Sequence, residues 1–378
     1  MASDMTILSG DCRETLKTIP DGSVHCCVSS PPYWGLRSYL SKDNPLKHLE
    51  IGSEPTPDAF VETMVTVFRE VKRCLHPTGV LFLNLGDSYA GSGNGANDYR
   101  EEAASISGSR EKYQGQKPGS VQNLKPKDLC MIPWRVALAL QADGWWLRSI
   151  ICWHKKSCMP ESVTDRPTNS WEPIFLLAKS QKYFYDAVAI QEPAEVQGGR
   201  VCGQKNDESR HDHESCGTVR GNGSTRNCRN VWSLGPEPYS EAHFATFPTE
   251  IPRRAILAGT SARGCCPKCY APWERVVESE AVGRRRKNGM PIAPMPNQDE
   301  HDGGSAGSSV TRTIGWQRTC DHALEPIPCT VLDPFGGSGT VGQVATELGR
   351  KAILCELNDA YIPLIETRTN VTKGLALA

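Results

Sequence analysis

Apolar residues occur along the chain in runs that predict alternating strands and helices. An apolar run over 23–30 ends in two prolines, which predicts a buried strand and then a rigid loop. Thr56-Pro57-Asp58 is typical of a helix start, with Pro57 in the first turn. Large apolar residues then recur at helical spacing, at Phe60, Met64, Phe68, Val71 and Leu75.

The same pattern continues to the C-terminal end. After a break at 76–79, we expect a strand over 80–85, a helix over 133–143, and strands over 147–154 and 174–178. A strand over 331–333, a helix over 338–348 and a strand over 352–355 follow. This alternation predicts an α/β fold with a doubly wound, mostly parallel sheet.

Three stretches lack the apolar residues of the predicted core. Residues 91–120, 192–230 and 280–312 are rich in glycine, serine and charged residues, which indicates loop insertions. We therefore expect one domain over 1–262 with insertions at 91–120 and 192–230, a small module over 263–325, and a return to the first domain over 326–378.

Composition narrows the class of protein. The chain has 378 residues, a hydrophobic fraction of 38% and a formal net charge of −1, so nucleic-acid binding has to come from local patches. No apolar run reaches transmembrane length, and we expect a cytoplasmic protein that does not bind membranes. Several of the 16 cysteines lie in predicted strands, which fits reduced thiols.

Two short motifs carry candidate chemistry. The first, Val28-Ser29-Ser30-Pro31-Pro32-Tyr33, is a proline-fixed loop with an aromatic tip, which suits a planar base with an amino group. The second, Leu332 to Thr340 (LDPFGGSGT), is an acidic, glycine-rich turn between a strand and a helix, which suits a nucleoside cofactor. Glu356 follows Asp333 at about the spacing at which nucleotide-binding folds place a carboxylate on ribose hydroxyls. No lysine follows the glycines, which disfavours a phosphate-binding loop.

Together these motifs resemble those of the DNA methyltransferases that methylate exocyclic amino groups with S-adenosylmethionine. The catalytic loop precedes the cofactor loop, as in the beta arrangement of that family. The resemblance implies a Rossmann-like methyltransferase fold and a catalytic loop formed by Ser30, Pro31, Pro32 and Tyr33. The cofactor-binding residues that it implies are Asp11, Phe244, Asp333, Phe335, Gly337, Ser338, Gly339, Thr340 and Glu356.

Within this set, the resemblance places Asp333 on the methionine amino group and Glu356 on the ribose. Gly10-Asp11-Cys12 matches a segment beside the adenine, and His243 to Pro248 matches a segment over the methionine moiety. Alternatively, Asp11 caps a short helix and Phe244 is a core aromatic residue.

The target amino group needs acceptors, because its lone pair is delocalised into the ring. Ser30 Oγ and the Pro31 carbonyl can accept its two hydrogens, Tyr33 can stack on a flipped base, and Trp34 can extend this stacking wall. Serine at the first motif position is more frequent in cytosine-N4 members of the family, and aspartate in adenine-N6 members. We therefore expect cytosine N4 as the target, with adenine N6 as the alternative. Cys329 directly precedes the cofactor strand, and we interpret it as a buried residue rather than the nucleophile of a ring-carbon methylase.

A second chemical feature lies in the inserted module. Cys266 and Cys269 form a Cys-x-x-Cys knuckle, and Cys320 and His322 supply a second pair of ligands. Four such groups suit a tetrahedral, structural zinc in a ribbon-like insertion. Cys265 is an alternative ligand, and a redox pair is the competing interpretation.

Partners follow from this interpretation. We expect DNA as the substrate and a cognate restriction endonuclease as a partner. Arginines at 200, 210, 220, 226 and 229, and the basic run Arg284-Arg285-Arg286-Lys287, are candidates for DNA contacts. Two hypotheses compete with DNA methylation, namely a catalytically silent nucleic-acid-binding protein on the same scaffold and a methyltransferase that acts on RNA or protein.

Overall fold

The computed structural model describes residues 5–36, 38–90, 124–158, 160–196, 219–235, 237, 247–281 and 309–375. The predicted insertion at 91–120, the cofactor residue Phe244 and the basic run 284–287 lie outside these residues. Within the described ranges, no helix is both long enough and apolar enough to cross a membrane.

Strands and helices alternate along most of the chain, as the apolar pattern predicts. In chain order they are β1 (Met5–Ser9), α1 (Cys12–Thr15), β2 (Val24–Ser29), α2 (Pro57–Cys74), β3 (Leu75–Asn84), α3 (Ile132–Ala142), β4 (Trp146–Lys155), β5 (Trp171–Ala178), β6 (Glu192–Val196), β7 (Val219–Arg226), β8 (Val231–Leu234), α4 (Glu250–Gly259), β9 (Glu274–Ala281), β10 (Ser309–Gln317), β11 (Thr330–Asp333), α5 (Thr340–Glu347), β12 (Lys351–Glu356) and α6 (Ile362–Leu375).

Eight of these strands form the central sheet, in the order β1-β12-β11-β2-β3-β5-β4-β8. Neighbours are parallel except where β5 runs antiparallel to β3 and to β4. The C-terminal strand β11 lies beside the N-terminal strand β2, with Val331 opposite Cys26 and Leu332 opposite Cys27. The mostly parallel sheet of the sequence prediction is therefore confirmed.

Helices cover both faces of the sheet. Cys27 of β2 and Leu81 of β3 pack in the large core cluster together with α1, α2 and α3. The adjacent residues Cys26 and Val80 approach Gly259 of α4, and α4 contacts α5, which contacts α6. Because neighbouring residues of one strand face opposite sides, both faces of β2 are covered, and all six of its residues are buried, including the polar His25 and Ser29.

Local chemistry explains where several elements begin. Thr56 caps α2 by accepting from the Ala59 amide, with Pro57 in the first turn. Helix α2 ends at Cys74, just before the predicted break at 76–79. Strand β3 begins earlier than predicted, because Leu75 already pairs with Val24 of β2, and the register shifts before Val80 pairs with Cys26. Helix α5 begins at Thr340 rather than at 338, because Gly337 and Gly339 adopt φ values of 51° and 80°.

The chain divides into two compact units. The first comprises Met1–Asp186, Asn230–Glu274 and Arg318–Ala378 and holds the eight-stranded sheet. The second comprises Ala187–Arg229 and Arg275–Gln317 and holds the antiparallel pair β6–β7 and the pair β9–β10. Cys266, Cys269, Cys320 and His322 belong to the first unit, whereas most of β9 and all of β10 belong to the second.

Gly259 offers a test of how tightly α4 packs on the sheet. A Cβ atom there would lie 2.7 Å from Cys26 Sγ and 2.8 Å from Val80 Cγ2. We expect Gly259→Val to lower the free energy of unfolding by about 2 kcal/mol, the usual cost of overpacking a core. Urea unfolding measures this change as a lower midpoint at an unchanged slope. Gly235→Val is the control, because a Cβ there meets nothing within 4 Å; an equal effect of both variants would contradict the packing.

Candidate active site

One cavity of about 620 Å³ in the first unit joins the two sequence motifs. Its wall includes the loop after β2, the turn after β11 and the residues that follow β1 and β12. These parts meet because the carboxyl ends of parallel strands lie at one edge of the sheet. The volume is that of a typical small-molecule site. Of the predicted site residues, those that line the cavity are Asp11, Ser30, Pro31, Pro32, Tyr33, Asp333, Phe335, Gly337, Ser338, Thr340 and Glu356.

Two buried carboxylates stand at the ends of neighbouring strands. Asp333 Oδ1 accepts from Ser29 Oγ at 2.8 Å and from the Phe335 amide at 3.0 Å. Glu356 accepts from the Gly337 amide at 2.7 Å and from the Asn358 amide at 2.8 Å. The sequence predicted both carboxylates, and the structure adds the backbone donors that fix their orientation.

Burial dominates the electrostatics of these carboxylates. It raises the pKa of Asp333 to about 8, against the opposing effect of the Phe335 and Ser29 hydrogen bonds. It likewise raises the pKa of Glu356 to about 7. A cavity that disfavours the ionised forms of both carboxyls favours a ligand that brings N–H and O–H donors, and best of all a positive charge, which stabilises those forms.

A residue that the sequence did not indicate contacts the glycine-rich turn. Arg368 of α6 donates to Ser338 Oγ and to Thr340 Oγ1, each at 2.9 Å. Each hydroxyl oxygen therefore acts as an acceptor toward arginine. The two oxygens are 3.4 Å apart, so one hydroxyl donates to the other and one hydrogen remains to bind an anionic group. Gly339, which the sequence assigned to the cofactor, does not line the cavity; its positive φ permits the turn, and a Cβ there would approach Ile365 Cγ2 at 3.0 Å.

Asp11 caps a helix, which is one of the two interpretations that the sequence left open. It caps α1 by accepting from the Arg13 amide at 2.9 Å and forms an ion pair with the Arg13 guanidinium, and it also lines the cavity. Phe247, the second aromatic residue of the segment that contains Phe244, lies in the cavity wall.

The loop after β2 is fixed by its prolines and by two glycines. A Cβ on Gly52 would lie 3.1 Å from Pro32 Cβ, and one on Gly86 would lie 2.3 Å from Tyr33 Cε2. The Tyr33 ring thus packs directly against the Gly86 backbone. Trp34, which the sequence placed beside Tyr33 in a stacking wall, is instead buried and donates from its indole N–H to the Glu54 carbonyl at 2.9 Å.

A hydrogen-bond network lies next to this loop. Tyr33 Oη is 3.0 Å from Asn84 Oδ1 and 2.9 Å from Glu172 Oε2. Ser30 Oγ is 3.3 Å from Asn84 Oδ1 and 3.4 Å from Tyr33 Oη, and Lys155 forms an ion pair with Glu172 Oε1. All five side chains line the cavity.

Sequence reasoning missed Asn84, Glu172 and Arg368. Asn84 ends β3, so the rule that ligands bind at the carboxyl ends of strands indicated its position. Glu172 is at the start of β5 and reaches the same edge only because β5 is antiparallel to β3. Arg368 is one of several polar residues of the last helix, and no motif distinguishes it.

A second cluster in the first unit brings together the four predicted metal ligands. The ligand atoms of Cys266, Cys269, Cys320 and His322 all lie within 4.8 Å of one another. His322 Nδ1 is 3.5 Å from Cys266 Sγ and 3.3 Å from Cys269 Sγ. Standard Zn–S and Zn–N bond lengths in a tetrahedron give a separation of about 3.6 Å between sulfur and nitrogen, so the geometry fits zinc.

The knuckle is connected to the central sheet through His25. His25 Nδ1 accepts from the Thr330 amide at 3.0 Å, so Nε2 carries the hydrogen and donates to the Tyr270 carbonyl at 2.8 Å. Cys265, the alternative ligand, lies with His25 and the buried Cys329 in a separate group. Since both ring nitrogens of His25 are in use, this second group does not have a free imidazole to bind a metal.

Comparisons with known proteins agree on one class. A family model described as DNA methylase, N6_N4_Mtase, matches residues 24–266 and 329–367. The chain is 34% identical over 365 residues to the type II methyltransferase M.Cfr9I of Citrobacter freundii, which covers 96% of this chain and 87% of that protein. It is also 34% identical over 362 residues to M.SmaI of Serratia marcescens, covering 96% and 89%.

A solved structure shares the fold. PvuII DNA methyltransferase, described as cytosine-N4-specific, superimposes with a TM-score of 0.52 at 14% sequence identity, over 99% of this chain and 91% of that one. This likeness supports the Rossmann-like architecture predicted from the motifs.

Because the pKa of Asp333 is raised, we expect that replacing this carboxyl stabilises the protein, by an amount that depends on pH. A carboxyl whose pKa rises from about 3.9 in the unfolded chain to about 8 in the folded protein binds a proton on folding. Stability is then lost as pH rises through this window. Asn at 333 keeps the Oδ1 acceptor for Ser29 and Phe335. We therefore expect Asp333→Asn to raise the melting temperature of the free protein.

The difference in melting temperature between Asp333→Asn and the wild type should widen as pH rises from about 5 to 8 and level off above pH 8. Differential scanning fluorimetry across this range measures it. Asp58→Asn, at a side chain 79% exposed, serves as the control. A difference that is the same at every pH would contradict the assignment of the raised pKa to Asp333.

Proposed function

The chain belongs to the N6_N4_Mtase family of DNA methylases, and we propose that it moves a methyl group from S-adenosylmethionine to the exocyclic amino group of a flipped base, with cytosine N4 preferred. The observation that carries this proposal is the shared cavity. The loop from Ser30 to Tyr33 and the turn from Asp333 to Thr340 line the same space, and Ser29 is hydrogen-bonded to Asp333. A target group and a methyl donor bound to these two loops would be neighbours.

The cofactor half of the cavity has donors and acceptors that suit S-adenosylmethionine. Asp333 would hold the methionine ammonium group and Glu356 the ribose hydroxyls. Ser338 or Thr340, whose oxygens both accept from Arg368, would donate to the methionine carboxylate. Once bound, the cofactor supplies a methyl group activated by a positively charged sulfur. The fit rests on the buried carboxylates, whose raised pKa values favour a cationic, donor-rich ligand.

The target half of the cavity polarises the amino group. Ser30 Oγ and the Pro31 carbonyl would accept its two hydrogens, so that the nitrogen lone pair turns toward the methyl group. Pro31 and Pro32 fix the backbone that presents both acceptors, which removes the cost of arranging them during the reaction. Asn84 Oδ1 and Tyr33 Oη both lie near enough to take the hydrogen of the Ser30 hydroxyl, which leaves a lone pair for the base.

The preference for cytosine rests on Ser30 and the family resemblance, and adenine N6 is the alternative. Trp153 lines the same cavity and is 7% exposed, and its indole N–H has no hydrogen-bond partner among the described residues. Cytosine and adenine both carry a ring-nitrogen acceptor beside the amino group, which such a donor would satisfy. Trp153 therefore supports the binding of an amino-bearing base, but it does not distinguish cytosine from adenine.

DNA recognition is assigned to the arginine-rich part of the second unit. The described members, Arg226 and Arg229, share Glu192 as a partner. Arg229 keeps 65% of its side chain exposed, which leaves it accessible to phosphate or guanine. Arg200 and Arg210 lie outside the described residues. A restriction endonuclease of the same site specificity would be the functional partner, as the names of the type II relatives suggest.

We further propose that Cys266, Cys269, Cys320 and His322 hold one structural zinc. The donor set is complete and leaves no position for a catalytic water, which separates this site from the chemistry of the cavity. Through Tyr270 and His25 the knuckle is joined to β2 and to Thr330, the first residue of β11. The metal would thus stabilise the strands that carry Ser29 and Asp333.

Ser30→Ala should retain cofactor affinity and lose methyl transfer. The serine hydroxyl is assigned to the base, and the loss of one preorganised acceptor costs on the order of 3 kcal/mol, or about 100-fold in rate. A radiolabelled methyl assay on duplex DNA, single-stranded DNA and RNA measures transfer, and calorimetry measures cofactor binding. Ser180→Ala, at a half-buried serine outside the cavity, is the control. Undiminished turnover of Ser30→Ala would remove this serine from the mechanism, and a preference for RNA would favour the alternative substrate.

Zinc content gives a second test. We expect about one zinc per chain by elemental analysis, and none in Cys269→Ser or His322→Ala. Removal of the metal should lower the melting temperature, because the free energy of metal binding is folding free energy. Cys158→Ser, at an exposed cysteine outside the cluster, should keep its zinc. Wild-type protein that contains no zinc after purification without chelators would contradict this proposal.

A further inference from the structure

Amino methylation leaves one proton too many on the target nitrogen, and neither Ser30 nor Asn84 is a base that can keep it. We propose that Glu172 takes this proton, through the hydroxyl groups of Ser30 and Tyr33. The inference rests on the proposed function, and it assigns to this chain a positioning residue and proton acceptor that lies outside both sequence motifs.

Two contacts define the route, and a third fixes the neighbouring Asn84. Ser30 Oγ, the group assigned to the target, lies 3.4 Å from Tyr33 Oη. Tyr33 Oη donates to Glu172 Oε2 at 2.9 Å. The Asn84 amide lies beside both hydroxyls and is fixed by donation from Nδ2 to the Pro173 carbonyl at 3.1 Å. Asn84 therefore orients the hydroxyls, and the first carboxylate along the chain of contacts is Glu172.

The charges around Glu172 fit the role of an acceptor. Lys155 forms an ion pair with Oε1, which stabilises the carboxylate before the reaction, while Oε2 accepts from Tyr33 at 2.9 Å and, at 3.4 Å, from Asn84 Nδ2. Burial raises the pKa of the Tyr33 hydroxyl, and the nearby Glu172 charge adds to this effect. Tyr33 therefore keeps its proton and can only exchange one for another, as a relay requires.

The other carboxylates that line the cavity have partners away from Ser30. Asp333 and Glu356 are bonded to the cofactor turn. Asp11 pairs with Arg13, and Glu50 pairs with Lys47. Asp87 accepts from the Ser88 and Ile132 amides.

The proton balance is as follows. As the nitrogen–carbon bond forms and the carbon–sulfur bond breaks, the positive charge passes from sulfur to the amino nitrogen. That nitrogen gives a proton to Ser30 Oγ, the Ser30 hydroxyl proton passes to Tyr33 Oη, and the Tyr33 proton passes to Glu172 Oε2. Glu172 ends as a neutral acid, and because its side chain is 17% exposed, water can remove the proton afterwards.

The test is a double-mutant cycle with Glu172→Gln and Tyr33→Phe. Glutamine keeps an acceptor for Tyr33 but cannot take a proton, and phenylalanine keeps the ring but cannot relay one. Each variant should lower the single-turnover rate of methyl transfer by about 100-fold, the usual contribution of a general base. The KM for DNA and the Kd for cofactor should change less than threefold. Since both substitutions break one route, the double variant should be no slower than the slower single variant.

Three readouts distinguish a relay from a structural effect. The wild-type rate should show a solvent deuterium isotope effect that is lost in Tyr33→Phe. Fluorescence of 2-aminopurine, placed at the target position of a site mapped with the wild-type enzyme, should report normal base flipping in Glu172→Gln. Glu347→Gln, a paired glutamate outside the cavity, should keep the wild-type rate.

The outcomes separate the relay from the function on which it rests. An active wild-type enzyme with Glu172→Gln within threefold of its rate overturns the relay, and so do multiplicative effects in the double variant. If Glu172→Gln loses base flipping in proportion to its rate, the residue is structural and the relay is wrong. A wild-type protein that transfers no methyl group to DNA overturns the proposed function instead.

Discussion

The parallel pairing of β2 with β11 is the constraint on which the site depends. It brings together residues 304 positions apart in the chain, so that Ser29 donates to Asp333 at 2.8 Å. Ser30 follows directly in the chain, so the target loop and the cofactor turn stand side by side at one edge of the sheet. The remaining strands hold this pair: β3 adds Asn84 and β12 adds Glu356 at the same edge.

The same edge concentrates buried charge. Asp333 and Glu356 are held by amide donors in a cavity that disfavours their ionised forms, and the fold supplies no cation to either among the residues described. Glu172, in contrast, has Lys155 as a partner. In the free protein, the two carboxyls on the side assigned to the cofactor therefore lack a cationic partner, whereas the carboxylate on the side assigned to the base has one. A cationic ligand supplies the missing partner, and so binding and stability are linked.

Much of this arrangement could be predicted from local sequence. The strand before Ser30, the Thr56 cap and the carboxylates that end β11 and β12 follow from short-range patterns, and the four metal ligands follow from the spacing of cysteine and histidine. Glu172 and Arg368 could not be predicted, because their positions depend on the direction of β5 and on the packing of α6. Trp34 differs from its expected place because its indole finds an acceptor in the core, and Gly339 because the turn, rather than the ligand, requires it.

The distance in sequence between β2 and β11 also has a consequence for synthesis. A ribosome releases β2 long before it releases β11, and until then β2 is an edge strand, although all six of its residues are buried in the complete fold. The unpaired N–H and C=O groups of such an edge are a template for incorrect pairing with other chains. A nascent or truncated chain that ends before Thr330 lacks β11 and β12, so the edge of β2 stays exposed. Such a chain would depend on chaperones or on rapid completion of synthesis to avoid aggregation.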